Sequence, residues 1–124
     1  MTFHIQPDPA IIRTAFYGDV THAEFLEYFK ELMRVESGFE RTPDRLTDLS
    51  GVKGWEPGFP AMLDVTRLRR VQTFPNKFRS AIVATTPELY GLARMFQMLN
   101  DNPQIDVQLF KTMAEAEDWL ASKT

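Results

Sequence analysis

The sequence of 124 residues contains no cysteine. This absence excludes a disulfide framework, a thiolate nucleophile and a zinc–thiolate site, and it is compatible with a reducing compartment. No apolar run approaches the ~20 residues that a membrane span needs. The first nine residues also lack the basic and apolar regions of a secretion signal. The sequence therefore predicts a cytoplasmic protein that is not integral to a membrane.

An excess of positive charge is missing as well. The chain has 14 Lys and Arg residues against 17 Asp and Glu residues, which gives a net charge of −3. Such a molecule repels a polyphosphate backbone, so nucleic acid is not expected as a partner. The hydrophobic fraction of 44% and the charged fraction of 25% are ordinary for a globular protein. The length fits one domain spanning residues 1–124.

Local capping signals predict where helices begin. Thr21 with Glu24, and Thr112 with Glu115, each form a capping box, in which the threonine side chain caps the first turn and the glutamate reaches back. Gly91 lies inside a predicted helix, and it indicates that this helix approaches the sheet closely. Four helices are predicted. One begins after Thr21, one lies between Phe59 and Gln72, one extends from Thr86 to Leu99, and one begins after Thr112.

Short apolar runs predict five strands, at residues 3–6, 11–17, 45–50, 78–85 and 105–110. Prolines in the first turn favour an antiparallel N-terminal pair, and the later strands alternate with helices, which implies right-handed crossovers. The predicted fold class is α/β, a mostly parallel five-stranded sheet with an antiparallel N-terminal strand and about four helices. Whether the helices cover both faces or crowd on one stays open.

Six segments together resemble a known family in their order and spacing. They are Gly18 to Thr21 as a turn before the first helix, Asp48 to Val52 at a strand end, Ala81 to Val83, Tyr90 to Phe96, Val107 to Phe110 and Ala114 to Leu120. The whole chain resembles the STAS, or SpoIIAA-like, domains, and particularly a bacterial branch whose members mostly lack an assigned function. The resemblance implies a SpoIIAA-like fold over nearly the entire chain.

The phosphoacceptor of this family is missing from the matching position. In the anti-sigma-factor antagonists, the Asp-Leu-Ser-Gly-Val segment is followed after three residues by Asp-Ser-Ser-Gly, whose first serine accepts a phosphate at a helix start. The same offset holds Pro57 here, and no hydroxyl lies between Ser50 and Thr66. The resemblance thus implies the fold without the switch. A substitute hydroxyl, Ser50 or Thr86, remains the alternative.

Ligands of open α/β sheets gather at the carboxyl ends of the strands. This edge predicts a ligand-binding set that consists of Ser50, Lys53, Trp55, Thr85 and Thr86. Simpler interpretations stand beside it: Ser50 ends a strand in a turn, and Thr86 only caps a helix. Trp55, in a predicted loop, either roofs the core or lines an apolar cleft.

Catalytic candidates are few. His22 lies at a helix start, while Asp48 and Ser50 share one side of a strand, so a relay of these three is conceivable. No phosphate loop, nucleophile elbow, dinucleotide fingerprint or metal-binding spacing is present. The sequence predicts no catalytic residue, no metal and no cofactor.

Two further features have alternative interpretations. Residues 65–80 carry five basic side chains and no acid, namely Arg67, Arg69, Arg70, Lys77 and Arg79. This stretch either holds a phosphate, an acidic partner or an anionic headgroup, or it forms a solvated helix face. The six methionines, including Met95 and Met98 on a helix, either make a pocket adaptable to an apolar ligand or fill gaps in the core.

These observations favour a noncatalytic SpoIIAA-like module that acts by binding a protein partner or a small apolar ligand at the strand-end edge near Trp55. One alternative is a phosphorylation switch on a substitute hydroxyl, and another is a small hydrolase built on His22, Ser50 and Asp48. A homodimer is left open.

Overall fold

The computed structural model describes residues 2–122, whose secondary structure comprises five strands and four helices. In chain order the elements are β1 (Phe3–Gln6), β2 (Ile11–Val20), α1 (His22–Ser37), β3 (Asp44–Trp55), α2 (Phe59–Val71), β4 (Phe78–Val83), α3 (Pro87–Leu99), β5 (Ile105–Phe110) and α4 (Met113–Ala121). The strands form one sheet in the order β1-β2-β3-β4-β5. β1 is antiparallel to β2, and all other pairs are parallel. The predicted fold class is confirmed.

Three of the helices lie on one face of the sheet. α1, α2 and α3 each connect one strand to the next strand along the sheet. Because such crossovers are right-handed and the sheet grows in one direction, all three helices fall on the same face, here called the three-helix face. α4 follows the last strand and packs on the opposite face through Ala116 and Leu120, against Leu46, Ala81 and Val83. We call this second face the α4 face.

Both capping boxes are confirmed. Thr21 Oγ1 accepts the Glu24 N–H at 3.2 Å, and Thr112 Oγ1 accepts the Glu115 N–H at 3.2 Å. The Glu24 carboxylate also accepts hydrogen bonds from the hydroxyl and the backbone N–H of Thr2, both at 2.8 Å. These bonds from Thr2 hold the pKa of Glu24 below its usual value. They also link the start of β1 to the first turn of α1.

β3 is longer than its sequence predicts, and so is β2. β3 continues five residues beyond the expected end, as far as Trp55, and β2 includes Gly18 to Val20, which resemble a turn. Two register shifts keep the strands paired over this length. A Cβ at Gly51 would lie 3.0 Å from Tyr17 Cβ and 3.1 Å from the Phe16 carbonyl oxygen. The glycine that indicates a turn instead allows two strands to approach closely.

The prediction for Gly91 is wrong. This residue is exposed on α3, and a Cβ placed there would meet nothing within 4 Å. Leu89 and Ala93 are the buried residues of the helix instead. The glycine therefore has no packing role against the sheet.

Candidate ligand-binding cavity

A cavity of about 50 Å³ lies between the sheet and the helices of the three-helix face. Alternation along the strands directs Phe16, Thr47, Leu49 and Ile82 to this face, because every second residue of a strand points the same way. α1 contributes aromatic rings, while α2 and α3 contribute mainly aliphatic side chains. The lining residues are Phe16, Phe25, Tyr28, Phe29, Arg45, Thr47, Leu49, Trp55, Met62, Ser80, Ile82, Leu92, Ala93 and Phe96.

Aromatic side chains form much of the wall. The ring of Trp55 packs edge-on against Phe25 and Phe16, with centroid separations of 5.3 Å and 5.7 Å. The ring of Phe29 stacks on Phe96 of α3 at 6.0 Å. Rings are large and rigid, so a cluster of them fills an irregular space with small gaps between its members. The extension of β3 is what brings the indole to this wall.

The indole nitrogen of Trp55 has an unusual environment. Nε1 is buried, and within residues 2–122 it has no hydrogen-bond partner. A buried N–H without an acceptor costs about 1–3 kcal/mol, so such groups are rare in folded proteins. The N–H belongs to a residue that lines the cavity. An acceptor brought within hydrogen-bond distance of Nε1 would remove this cost.

One part of the lining is polar. The Tyr28 hydroxyl donates to Thr14 Oγ1 at 3.1 Å, and the Thr14 hydroxyl donates to Thr47 Oγ1 at 3.1 Å. Ser80 Oγ accepts a bond from Nη2 of Arg45 at 3.3 Å. Arg45, Thr47 and Ser80 all line the cavity, and the rest of the lining is apolar apart from the Tyr28 hydroxyl and the Trp55 N–H. The cavity thus has a hydrogen-bonding corner in an otherwise hydrophobic wall.

Behind this corner lies a buried cluster of charges. Glu36 of α1 accepts two bonds from Arg69 of α2, at 2.7 Å and 3.1 Å, and one from Arg45 of β3 at 3.4 Å. The three side chains are 4%, 1% and 4% exposed, respectively. Burial, followed by the nearby Arg69 cation, lowers the pKa of Arg45. Two guanidinium groups therefore share one carboxylate.

The residues of the predicted ligand-binding set lie in three places. Trp55 lines the cavity. Thr85 and Thr86 lie along a separate depression of about 580 Å³ beside Lys111, where Thr86 Oγ1 accepts the Leu89 N–H at 3.2 Å. Ser50 and Lys53 are exposed on β3, and neither lines these two spaces. The structure does not bring the five residues together.

The structure also shows where the residues considered for catalysis and for a phosphorylation switch lie. The Asp48 carboxylate accepts the backbone N–H of Ser50 at 2.9 Å, and no hydrogen bond among residues 2–122 joins His22 to either side chain. Within the same range no group of three or more His, Cys, Asp or Glu residues is placed to hold a metal ion. Pro57 is buried directly before Gly58, the N-cap of α2, and carries no hydroxyl.

The basic stretch does not form one surface. Arg69 is buried in the charge cluster, while Arg79 Nη1 donates to the carbonyl oxygens of Trp119 and Ser122 on the α4 face, at 2.7 Å and 2.6 Å. Both interpretations of this stretch are therefore wrong for its central arginine. The interpretation of the methionines is wrong for Met95 and Met98, which are exposed and line no part of the cavity, whereas Met62 is buried and lines it.

Sequence reasoning missed the polar corner, although one signal was present. Arg45 and Thr47 alternate with Leu46 along β3, so a period of two places them on the same face as Leu49. A charged residue on the inner face of a buried strand is unusual, and it indicates a buried partner. The partners Glu36 and Ser80 are remote in sequence and give no such signal.

The strand order, the antiparallel first strand and the three crossover helices on one face define a STAS-like α/β fold. The family model described as SpoIIAA-like matches residues 11–121, and the chain belongs to the SpoIIAA-like family. No functionally curated protein matches the chain.

A solved structure supports the same fold. The chain is similar to an uncharacterized protein of the DUF3478 family with a SpoIIAA-like fold from Shewanella loihica PV-4, at 19% identity and a TM-score of 0.62. The similarity covers 96% of this chain and 92% of that one. Among residues 2–122, none of the helices has the length and apolar character required to cross a bilayer.

Proposed function

We propose that this protein is a noncatalytic binding module whose ligand is a small, mostly apolar molecule held in the cavity of the three-helix face. The observation that carries the proposal is the unpartnered N–H of Trp55 in the wall of an aromatic-lined space. Apolar pockets with a small number of oriented polar groups are the usual form of a small-molecule site. The predicted role of Trp55 in a ligand site is retained, and the site is moved from the strand-end edge into the interior.

The size of the cavity limits the ligand. A cavity of about 150 Å³ binds benzene, whereas a single water needs roughly 10–15 Å³. At about 50 Å³ the space accommodates a few heavy atoms, and a larger body requires the lining to move. α2 is the helix whose start is least anchored, because its N-cap Gly58 makes no side-chain bond while Thr86 caps α3. Displacement of its first turn, next to the lining residue Met62, would enlarge the space.

Fluorescence of the indole offers a direct test. The chain has two tryptophans, and Trp119 lies on the α4 face. A Trp119→Phe variant therefore reports on Trp55 alone. Titration with isobutanol and then with benzyl alcohol should change its emission in a saturable way, because each alcohol brings an acceptor to the N–H. The larger alcohol measures how far the cavity expands.

Two variants provide the controls. Trp55→Phe retains Trp119 and should show no saturable change with either alcohol. Ala93→Leu extends a side chain into the cavity and should abolish the response of the Trp119→Phe reporter while the protein stays folded. A response that survives Ala93→Leu would place the ligand elsewhere. If neither the alcohols nor the carboxylates of matching size change the emission of the reporter, the proposal is refuted.

A further inference from the structure

The buried charge cluster is unbalanced. Glu36 is the buried carboxylate of residues 2–122, and Arg45 and Arg69 are the buried cations of the same part of the chain. The cluster therefore has one net positive charge inside the protein. An isolated buried charge is strongly unfavourable unless a counter-charge or several hydrogen bonds compensate for it. The compensation for one of the two arginines is thus incomplete.

The two arginines differ in how they bind the carboxylate. Arg69 binds Glu36 through two nitrogens at 2.7 Å and 3.1 Å, a bidentate geometry, although its buried Nε has no hydrogen-bond partner among residues 2–122. The bonds of Arg45 to Glu36 and Ser80 are 3.4 Å and 3.3 Å, beyond the usual range of about 2.7–3.2 Å. Arg45 lines the cavity and Arg69 does not. The arginine with the longer bonds to Glu36 is therefore the one that a ligand would meet.

The neighbouring polar groups are also donors. Thr47 accepts from Thr14, and Ser80 accepts from Arg45, so each of these hydroxyls can also donate its proton to a ligand. The N–H of Trp55 has no acceptor among residues 2–122. The lining thus includes one cation and several hydrogen-bond donors, and it includes no Asp or Glu. This pattern suits an anion far better than a neutral molecule or a cation.

We propose that the ligand is a small amphipathic carboxylate, with its carboxylate at Arg45, Thr47 and Ser80 and its apolar body among the rings. This inference rests on the proposed function and specifies the ligand of the same cavity. A carboxylate carries one negative charge, which matches the single excess positive charge, whereas a phosphate monoester carries about −1.5 to −2. The lowered pKa of Arg45 is consistent with a cation that lacks a full counter-ion.

Matched pairs of compounds test whether the ligand is a carboxylate. Isobutyrate is compared with isobutanol, and benzoate with benzyl alcohol, by calorimetry and by emission of the Trp119→Phe reporter. Each carboxylate should bind at least about tenfold more tightly than its alcohol, the order of effect expected from charge-assisted hydrogen bonds in place of neutral ones. If the alcohols bind and the carboxylates bind no better, the proposed function stands and this inference is wrong. If neither class binds, both are wrong.

Variants of the corner identify its residues. Arg45→Met removes the excess charge and leaves Glu36 paired with Arg69, so it should erase the preference for carboxylates while the affinity for alcohols remains. Arg13→Met alters an exposed arginine on the other side of the sheet and should change neither affinity. If Arg45→Met does not fold, Thr47→Val should still reduce the preference several-fold. A preference unchanged in the folded corner variants would overturn the assignment.

Discussion

The two faces of the sheet differ in the side chains that they bury. On the α4 face, Leu46, Ala81 and Val83 pack against Ala116 and Leu120 in an apolar cluster. On the three-helix face, rings surround a cavity and a carboxylate is buried with two arginines. A single helix can settle onto a sheet to the best fit, whereas three helices tied to successive strands must share one surface. The aromatic-lined cavity lies on the side where three helices share one surface.

The largest loss of stability is expected from Glu36→Gln. This change keeps the shape of the side chain but leaves Arg45 and Arg69 buried without a counter-charge. We expect a loss of roughly 3–5 kcal/mol in the free energy of unfolding, as for other broken buried ion pairs. Chemical denaturation measures it. A loss below about 1 kcal/mol would show that the cluster reaches water, and the contrast between the faces would disappear.

A leucine introduced at two alanines compares the packing of the faces directly. Ala116→Leu on the α4 face has no space to fill and should destabilise the protein by about 1–3 kcal/mol, the usual cost of overpacking. Ala93→Leu on the three-helix face extends into the cavity and should cost less than about 1 kcal/mol. Urea denaturation of both variants measures the difference. Equal losses would mean that the cavity is not available to a side chain.

Gly91→Ala tests whether the outer surface of α3, on the three-helix face, is free of packing contacts at this position. Because the added methyl group meets nothing, only the helix propensity changes, and we expect a gain of about 0.5–1 kcal/mol. The midpoint of thermal unfolding should rise accordingly. A destabilised variant would restore the inward orientation that the sequence indicates and would require a different rotation of α3.

The smallest change in stability is expected from Glu117→Gln. Its carboxylate binds Arg13 at 3.0 Å, and both side chains are about half exposed. Exposed ion pairs contribute ~0–1 kcal/mol, and salt screens them. Denaturation at low and high ionic strength should show a small loss that vanishes with salt. This variant is the exposed counterpart of Glu36→Gln, and a loss comparable to that one would contradict the difference in burial.

Local chemistry made much of the fold predictable. A threonine followed three residues later by a glutamate specifies a helix start without reference to the rest of the chain, and Thr21 and Thr112 show this. The end of β3 was not predictable in this way. Gly51 and Gly54 are typical of turns, but pairing with β2 keeps them in a strand. Tertiary contact overrides the local preference there.

The sequence predicts less of the candidate site than of the fold. Trp55 was identified, because a large ring between glycines and prolines is unusual. Arg69 was interpreted as part of a charged surface, since nothing nearby in the chain reveals that Glu36 lies opposite it. The cavity itself results from how the side chains of three helices fail to fill the space above the sheet. Such a mismatch of volumes exists only in the assembled structure.

The consecutive strand order bears on how the chain folds. Every strand pairs with the strand that precedes or follows it in the chain, so no strand must be inserted between two that are already joined. The entropy of loop closure is then lost in several moderate steps, each followed by the pairing that compensates for it. Assembly can extend along the sheet in the direction of synthesis, with β5 and α4 added last. Along this route the α4 face would close at the final stage, after the three crossover helices are in place.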